Sequence, residues 1–276
     1  MNILIVDGNE KSASDRYTEM GMPTQFEVYH NVLKKMVRKD CQISVLHPAF
    51  KDNYIPKGVS LNDFHGIVWT GSLLNIYDLG PSIERQIELA KELFTKKNKI
   101  FGSCWGLQVL ATAAGGSVRK NPNGLEAVIA NNIVINSNGI NHPLYKNKPN
   151  NFDSFCWHYD EVETLPLDTK VLSSNKKSLV QSIVFTRGKS EVWAVQYHPE
   201  FDPKWISRLM KQRESLLLEE GIYKNSEEFN QLCSFLSEVK KNQNQKEKLS
   251  ISDTLIDKKI HTLELSNWLQ NLTNSI

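Results

Sequence analysis

KIFGSCWGLQVLATAAGG, residues 99–116, sets one cysteine inside a glycine frame, Gly102-Ser103-Cys104-Trp105-Gly106. A short apolar run leads into the frame and an alanine-rich run leads out, so the stretch reads as strand, sharp turn and helix. A structural cysteine has no need of glycine two residues away on either side, whereas a nucleophile displayed on a tight turn does. Strand, Gly-x-nucleophile-x-Gly, helix is the elbow pattern, here with Cys where many enzymes carry Ser. Cys104 then stands at a helix N-terminus, where unpaired N–H groups and the dipole favour an anion. That placement predicts a thiol of lowered pKa. Ala111, Ala113 and Ala114 let the helix lie close on a sheet. The plainer alternative is a small core cysteine beside flexible turns.

Outward from this stretch, the first half of the chain alternates apolar strands with amphipathic helices. NILIVD (2–7), CQISVLHP (41–48), GIVWTGS (66–72) and KIFGS (99–103) read as strands, and 24–39 and 81–97 as helices. The first helix carries Phe26, Tyr29, Leu33 and Met36 at helical spacing behind a Thr24 cap, and the second opens on Pro81. Continuous apolar strands suit a sheet buried on both faces. The alternation predicts an α/β fold, a parallel or mixed sheet flanked by helices. Ligands of such sheets lie beyond the carboxyl ends of the strands, which marks 7–23, 70–80 and the turn at Cys104. From about residue 117 short β-branched strands at 127–136, 170–175, 178–187 and 191–201 predict a mixed or antiparallel extension. Helices are expected at 203–221, 226–241 and 259–273, with the polar run 241–250 as an exposed linker. The expected organisation is an α/β domain over 1–202 and a helical C-terminal extension over 203–276 packed on it.

Composition excludes several classes. The 276 residues carry 33 Lys and Arg against 31 Asp and Glu, a net charge of +2, so no nucleic acid or other polyanion is an expected partner. Cys41, Cys104, Cys156 and Cys233 form no C-x-x-C pair and show no zinc-like spacing to His, which predicts reduced thiols and no metal site. MNILIVDGNE begins a strand at once, and no run is long enough for a membrane span. The expectation is a soluble, cytoplasmic protein. Neither a P-loop nor a Rossmann glycine fingerprint is visible, so no cofactor and no second catalytic domain are expected.

Two further segments carry chemistry. VWAVQYHPEF (192–201) runs from an apolar strand into His198-Pro199-Glu200. His198 is the candidate general base for Cys104, and Glu200 the carboxylate that fixes its tautomer. In VWTGSLLNIYD (68–78), Gly71 falls at the carboxyl edge of the sheet. Its N–H and that of Trp105 form a candidate oxyanion hole, against the alternative of an ordinary strand-to-loop glycine. DGNEKSASDRYTEMG (7–21) is long for a connection. It is either a solvated loop or a contact for an acceptor or partner through Ser12, Asp15 or Arg16.

GSCWGLQVLATAAGG, VQYHPEF and TGS together resemble the class I (triad-type) glutamine amidotransferases, over roughly residues 1–202. His198 falls 94 residues after Cys104, and the spacing is similar in particular to that of stand-alone homologues of the GMP synthetase amidotransferase domain. The resemblance implies a flavodoxin-like domain in which Cys104 attacks the glutamine side-chain amide to form a γ-glutamyl thioester, His198 shuttles the proton and Glu200 orients His198. It implies further that Leu107, through its backbone, and Gln108 hold the substrate. It also assigns His158 and Asp160, in CWHYDEV (156–162), to closing over the substrate's α-amino and α-carboxylate groups. Gly71-Ser72-Leu73 departs from the Gly-Gly-Pro common in the family's oxyanion loop, and Trp105 is bulkier than the usual residue.

The leading expectation is a glutaminase that releases ammonia for an unidentified acceptor, alone, as a homo-oligomer or beside a separate synthetase subunit. One alternative is a γ-glutamyl hydrolase or transferase using the same thioester on a γ-glutamyl amine or peptide. The other is a regulatory or binding module without catalysis, against which the intact Cys104, His198 and Glu200 argue.

Overall fold

The computed structural model describes residues 1–274. In β1 (Asn2–Val6) alternate side chains leave the strand on opposite faces: Ile3 and Ile5 join one buried cluster, Leu4 and Val6 another. The same split recurs in β2 (Gln42–Leu46), β3 (Gly66–Trp69) and β4 (Lys99–Ser103), so each apolar run serves two cores. Then come β5 (Ser117–Lys120), β6 (Glu126–Ile135), β7 (Asn151–His158), β8 (Asp160–Thr164), β9 (Lys170–Ser174), β10 (Ser182–Arg187) and β11 (Ser190–Val195). Nine of these build one sheet in the order β2-β1-β3-β4-β11-β10-β9-β6-β7, and β5 pairs with β8 apart from it. The strands from β2 to β11 in that order are parallel, and those from β11 to β7 antiparallel. The fold is therefore α/β with a mixed central sheet flanked by helices, as expected.

Four helices bear on the site. α1 (Lys11–Glu19) lies in the stretch read from sequence as a loop. It buries Ala13, Ser14 and Tyr17, has no side-chain cap, and carries an exposed Lys11–Asp15 pair at i,i+4. So narrow an apolar stripe in a polar segment gives almost no periodic signal. α2 (Gln25–Met36) starts at a capping box in which Thr24 and Glu27 satisfy each other's backbone N–H. α3 (Pro81–Phe94) opens on Pro81, and α4 (Trp105–Ala113) follows β4 with Cys104 as its N-cap.

The expected helix over 203–221 breaks at Arg213 into Pro203–Gln212 and Glu214–Glu219, that over 226–241 ends at Ser237, and that over 259–273 divides at Thr262. Leu265, Trp268, Leu269 and Leu272 lie against the parallel strands in the same buried cluster as Ile3, Val68 and Phe101. A Cβ at Gly66 would meet Leu272 at 2.6 Å and Trp268 at 2.9 Å, so this last helix rests directly on β3. The helices 203–212 and 226–237 share a third cluster with Tyr17, Phe155 and Phe201, beside the carboxyl edge of the sheet. Among the described residues no helix is long and apolar enough to cross a membrane.

Candidate active site

The carboxyl edge of β3, β4 and β11 is where the candidate residues meet. Trp69 and Gly102 are paired in register, so Gly71 and Cys104 each stand two residues beyond that pair. Cys104 takes φ 51° and ψ −105°, the strained conformation of an elbow. The flanking glycines do other work, since neither has a positive φ. A Cβ at Gly102 would strike the Gly106 backbone at 2.8 Å, and one at Gly106 would strike the Trp69 carbonyl at 2.7 Å. The frame lets α4 descend onto β3 and β4, and Cys104 alone carries the strain.

Trp105 is accommodated by design of its surroundings. Its indole is 1% exposed, and its Nε1 donates to Gln86 Oε1 at 2.8 Å, which also receives Trp69 Nε1 at 3.2 Å. Gly8 makes the room, because a Cβ there would lie 2.5 Å from the Trp105 ring. The loop after β3 is pinned by Asn9, whose Oδ1 accepts from the Leu73 N–H at 3.2 Å while its Nδ2 donates to the Gly71 carbonyl at 3.3 Å. Asn9 escaped the sequence reading. Its one signal was position, two residues past the Asp that closes β1. The Gly71 N–H has no hydrogen-bond partner among the described residues.

His198 follows β11. Its Nδ1 lies 2.6 Å from Glu200 Oε1, its ring stacks on Phe201 at 3.9 Å, and its backbone N–H donates to the Phe155 carbonyl. Glu200 Oε1 also accepts from Ser103 Oγ at 3.1 Å, and Ser103 Oγ accepts from Tyr29 O–H at 2.7 Å. Tyr29 and Ser103 thus extend the pair into the core, a contribution no motif announced. A Cβ on Gly71 would come within 2.7 Å of His198 Cε1 and 2.5 Å of Gln25 Oε1, so any side chain there would displace one or both.

Cys104, Gln108, His158, Asp160 and His198 line one cavity of about 310 Å³. Cys104 and His198 share it without a hydrogen bond between them: the thiol lies 3.7 Å from the Trp157 carbonyl. The expected lowering of the thiol pKa is not what the environment produces. Burial pushes it up to about 12, the Glu200 charge adds to the rise, and only the Trp105 N–H works the other way. Desolvation thus works against the anion that the N-terminus of α4 would favour.

Leu107 is buried in the core within the first turn of α4. Gln108 Nε2 reaches the Gln196 side chain and the Asp160 carbonyl at 3.4 and 3.5 Å. His158, at the end of β7, does not pair with the Asp160 carboxylate. Its Nδ1 meets the Asp160 backbone carbonyl and its Nε2 the Glu126 carboxylate, each at 2.9 Å. Asp160 instead accepts from Tyr77 O–H at 2.9 Å, and burial raises its pKa. Glu126, which sequence reading passed over, sits opposite His158 in register and is also held by Asn175 and Gln181. Of the 7–21 candidates only Arg16 reaches the cavity wall, while Asp15 is paired with Lys11. The four cysteines are free thiols, and among the described residues no cluster of His, Cys, Asp and Glu is arranged to hold a metal ion.

A cysteine elbow and a His–carboxylate pair at the carboxyl edge of a mixed α/β sheet define a cysteine-dependent amidohydrolase. Residues 24–213 match the family model for glutamine amidotransferase class-I, and the chain belongs to that family. It is 28% identical to a gamma-glutamyl-L-1-hydroxyisopropylamide hydrolase from a Pseudomonas species, over 99% of this chain and 93% of that one. It is 25% identical to the glutamine-hydrolysing GMP synthase of Petrotoga mobilis over 51% of this chain and 26% of the synthase. Among solved structures, a glutamine amidotransferase from Thermotoga maritima shares the fold with a TM-score of 0.68 at 18% identity, covering 99% of this chain and 97% of that one.

Proposed function

We propose that the protein hydrolyses a γ-glutamyl amide whose leaving group is an amine larger than ammonia. Cys104 attacks the γ-carbonyl, and the N–H groups of Gly71 and Trp105 receive the developing oxyanion. The thiol proton passes through His198, oriented by Glu200, to the departing nitrogen, and water then cleaves the γ-glutamyl thioester. Burial disfavours a free thiolate, so transfer to His198 goes with attack on the carbonyl. Gln108 and Asp160, with the Leu107 backbone, hold the glutamyl half, His158 braces the turn that carries Asp160, and residues 203–276 act as a helical extension that completes the cavity of the 1–202 domain.

The observation that carries this reading is the cavity wall. Trp205, Leu209 and Arg213, at the end of the matched family region, and Leu216 beyond it line the same space as Cys104. The amide hydrolase relative matches the chain through this region, whereas the synthase relative matches about half of it. The runner-up is the glutaminase, releasing ammonia from L-glutamine alone or for a separate synthetase subunit, as the likeness to GMP synthase suggests. Glutamate release from L-glutamine and from a γ-glutamyl alkylamide, with Cys104→Ser in parallel, separates them. Faster release from the alkylamide, lost in Cys104→Ser, is expected. Release from glutamine alone would replace this reading with the runner-up, and activity surviving in Cys104→Ser would remove both.

A further inference from the structure

Beyond the nucleophile the cavity continues. A second space of about 250 Å³ lies between α1 and the helix Pro203–Gln212, and shares Arg16, Tyr17, Leu73, Leu209 and Arg213 with the first. None of Cys104, Gln108, His158 or Asp160 borders it, so it lies away from the residues assigned to the glutamyl half. Its remaining wall includes Ala13, Met20 and Glu19. Among the described residues neither guanidinium is paired with a carboxylate; Arg16 Nε donates only to the Ser12 carbonyl at 3.3 Å. Two unpaired arginines over an apolar floor suit a planar anion attached to an apolar group. Gln25 adds an independent pointer. It is 4% exposed, it lines the first cavity beside His198, and its Oε1 is buried without a partner. A buried acceptor left open costs stability unless a ligand N–H fills it.

We propose that the leaving group is itself an α-amino acid, so that the substrate is a γ-glutamyl dipeptide with an apolar second residue. This rests on the amide-hydrolase reading above. The dipeptide's carboxylate lies on Arg16 and Arg213, its side chain against Leu73 and Leu209, and its amide N–H on Gln25 Oε1. As Cys104 Sγ bonds the γ-carbon, the C–N bond breaks and the nitrogen takes the thiol proton by way of His198. Water then breaks the C–S bond, giving glutamate and returning a proton to sulfur, and the free amino acid leaves through the second space.

The test compares kcat/KM of the full chain on γ-glutamyl-leucine and on γ-glutamyl-isopentylamide, which is the same molecule without the second carboxylate. The dipeptide is expected to be preferred by about tenfold or more, the scale of a charge-assisted contact. Arg213→Gln and Arg16→Gln are expected to bring the ratio of the two substrates toward one, and Arg213→Lys to restore part of it. Equal use of both substrates by the wild type overturns the inference and leaves amide hydrolysis standing. So does a loss in the arginine variants that is proportional on both substrates, since the arginines then serve the glutamyl half. Cleavage of neither compound by folded protein overturns the inference and the reading beneath it together.

Discussion

Two histidines, each paired with a carboxylate, face the same cavity, and they are built to opposite ends. His198 gives Nδ1 to Glu200 at 2.6 Å, and its other nitrogen has no hydrogen bond among the described residues. His158 is engaged at both nitrogens, to Glu126 and to the Asp160 carbonyl. Both rings are buried. The difference lies in the open valence: an imidazole can carry a proton between sulfur and a leaving group only if one nitrogen is left for the work. His158 with its lattice of Glu126, Asn175 and Gln181 is a brace for the end of β7. His198, on the turn after β11, is held on one side only.

The sharpest way to break this contrast is to exchange the roles. His198→Gln is expected to lower kcat by about 10⁴ or more with the fold intact, because attack and departure both lose their proton carrier. The wild-type thiol is expected to stay silent near neutral pH: the thiolate absorbance assigned to Cys104, wild type minus Cys104→Ser, should be absent at pH 7 and grow only as pH rises toward about 12. A thiolate band at neutral pH would show that the N-terminal field of α4, and not burial, sets the state of the sulfur. Glu200→Gln comes next, with an expected fall in kcat of about 10²–10⁴, since the amide still hydrogen-bonds the ring but no longer stabilises its cationic form. Circular dichroism distinguishes lost chemistry from lost fold in both.

How far these pairs were legible follows from what sequence can encode locally. Cys104 and His198-Pro199-Glu200 stand out as candidates, because each sits where an apolar strand stops and the residues of each motif are neighbours in the chain. The parallel half of the sheet was legible for the same reason. The His158–Glu126 pair spans two strands in antiparallel register, 32 residues apart, and nothing near either residue names the other. Tyr29 and Asn9 are similar: each acts at the site through a contact to a residue more than sixty positions away. α1 failed for a different reason, an apolar stripe of two or three residues in a polar segment. The thiol pKa departs from the motif's expectation because helix-end electrostatics can be read from a motif and desolvation cannot.

His158→Gln sharpens the comparison from the other side. The glutamyl end should bind less well, with KM raised roughly tenfold and kcat within about threefold of wild type, as loss of a positioning contact predicts. A collapse of kcat matching that of His198→Gln would make His158 a participant in proton transfer and dissolve the distinction between brace and base.

The smallest expected effect is on stability, and its sign follows from Glu126. Burial raises its pKa, but hydrogen bonds from His158, Asn175 and Gln181 outweigh that and leave it below the ordinary 4.5. A carboxylate whose folded pKa is depressed stabilises the fold above its unfolded value, and the contribution is lost as pH falls through the folded one. Glu126→Gln should therefore melt about 2–4 °C below wild type near pH 7, a shift on the order of 1 kcal/mol for a chain of this size. The gap should narrow as pH is taken below 4.5. Asp160, two residues past His158, is pushed the other way by burial, so Asp160→Asn should show the opposite trend, gaining on wild type as pH rises. Parallel melting curves for the two variants across this range would mean that the two carboxylates share one environment, and that the partition of the cavity into a braced end and a reactive end is wrong.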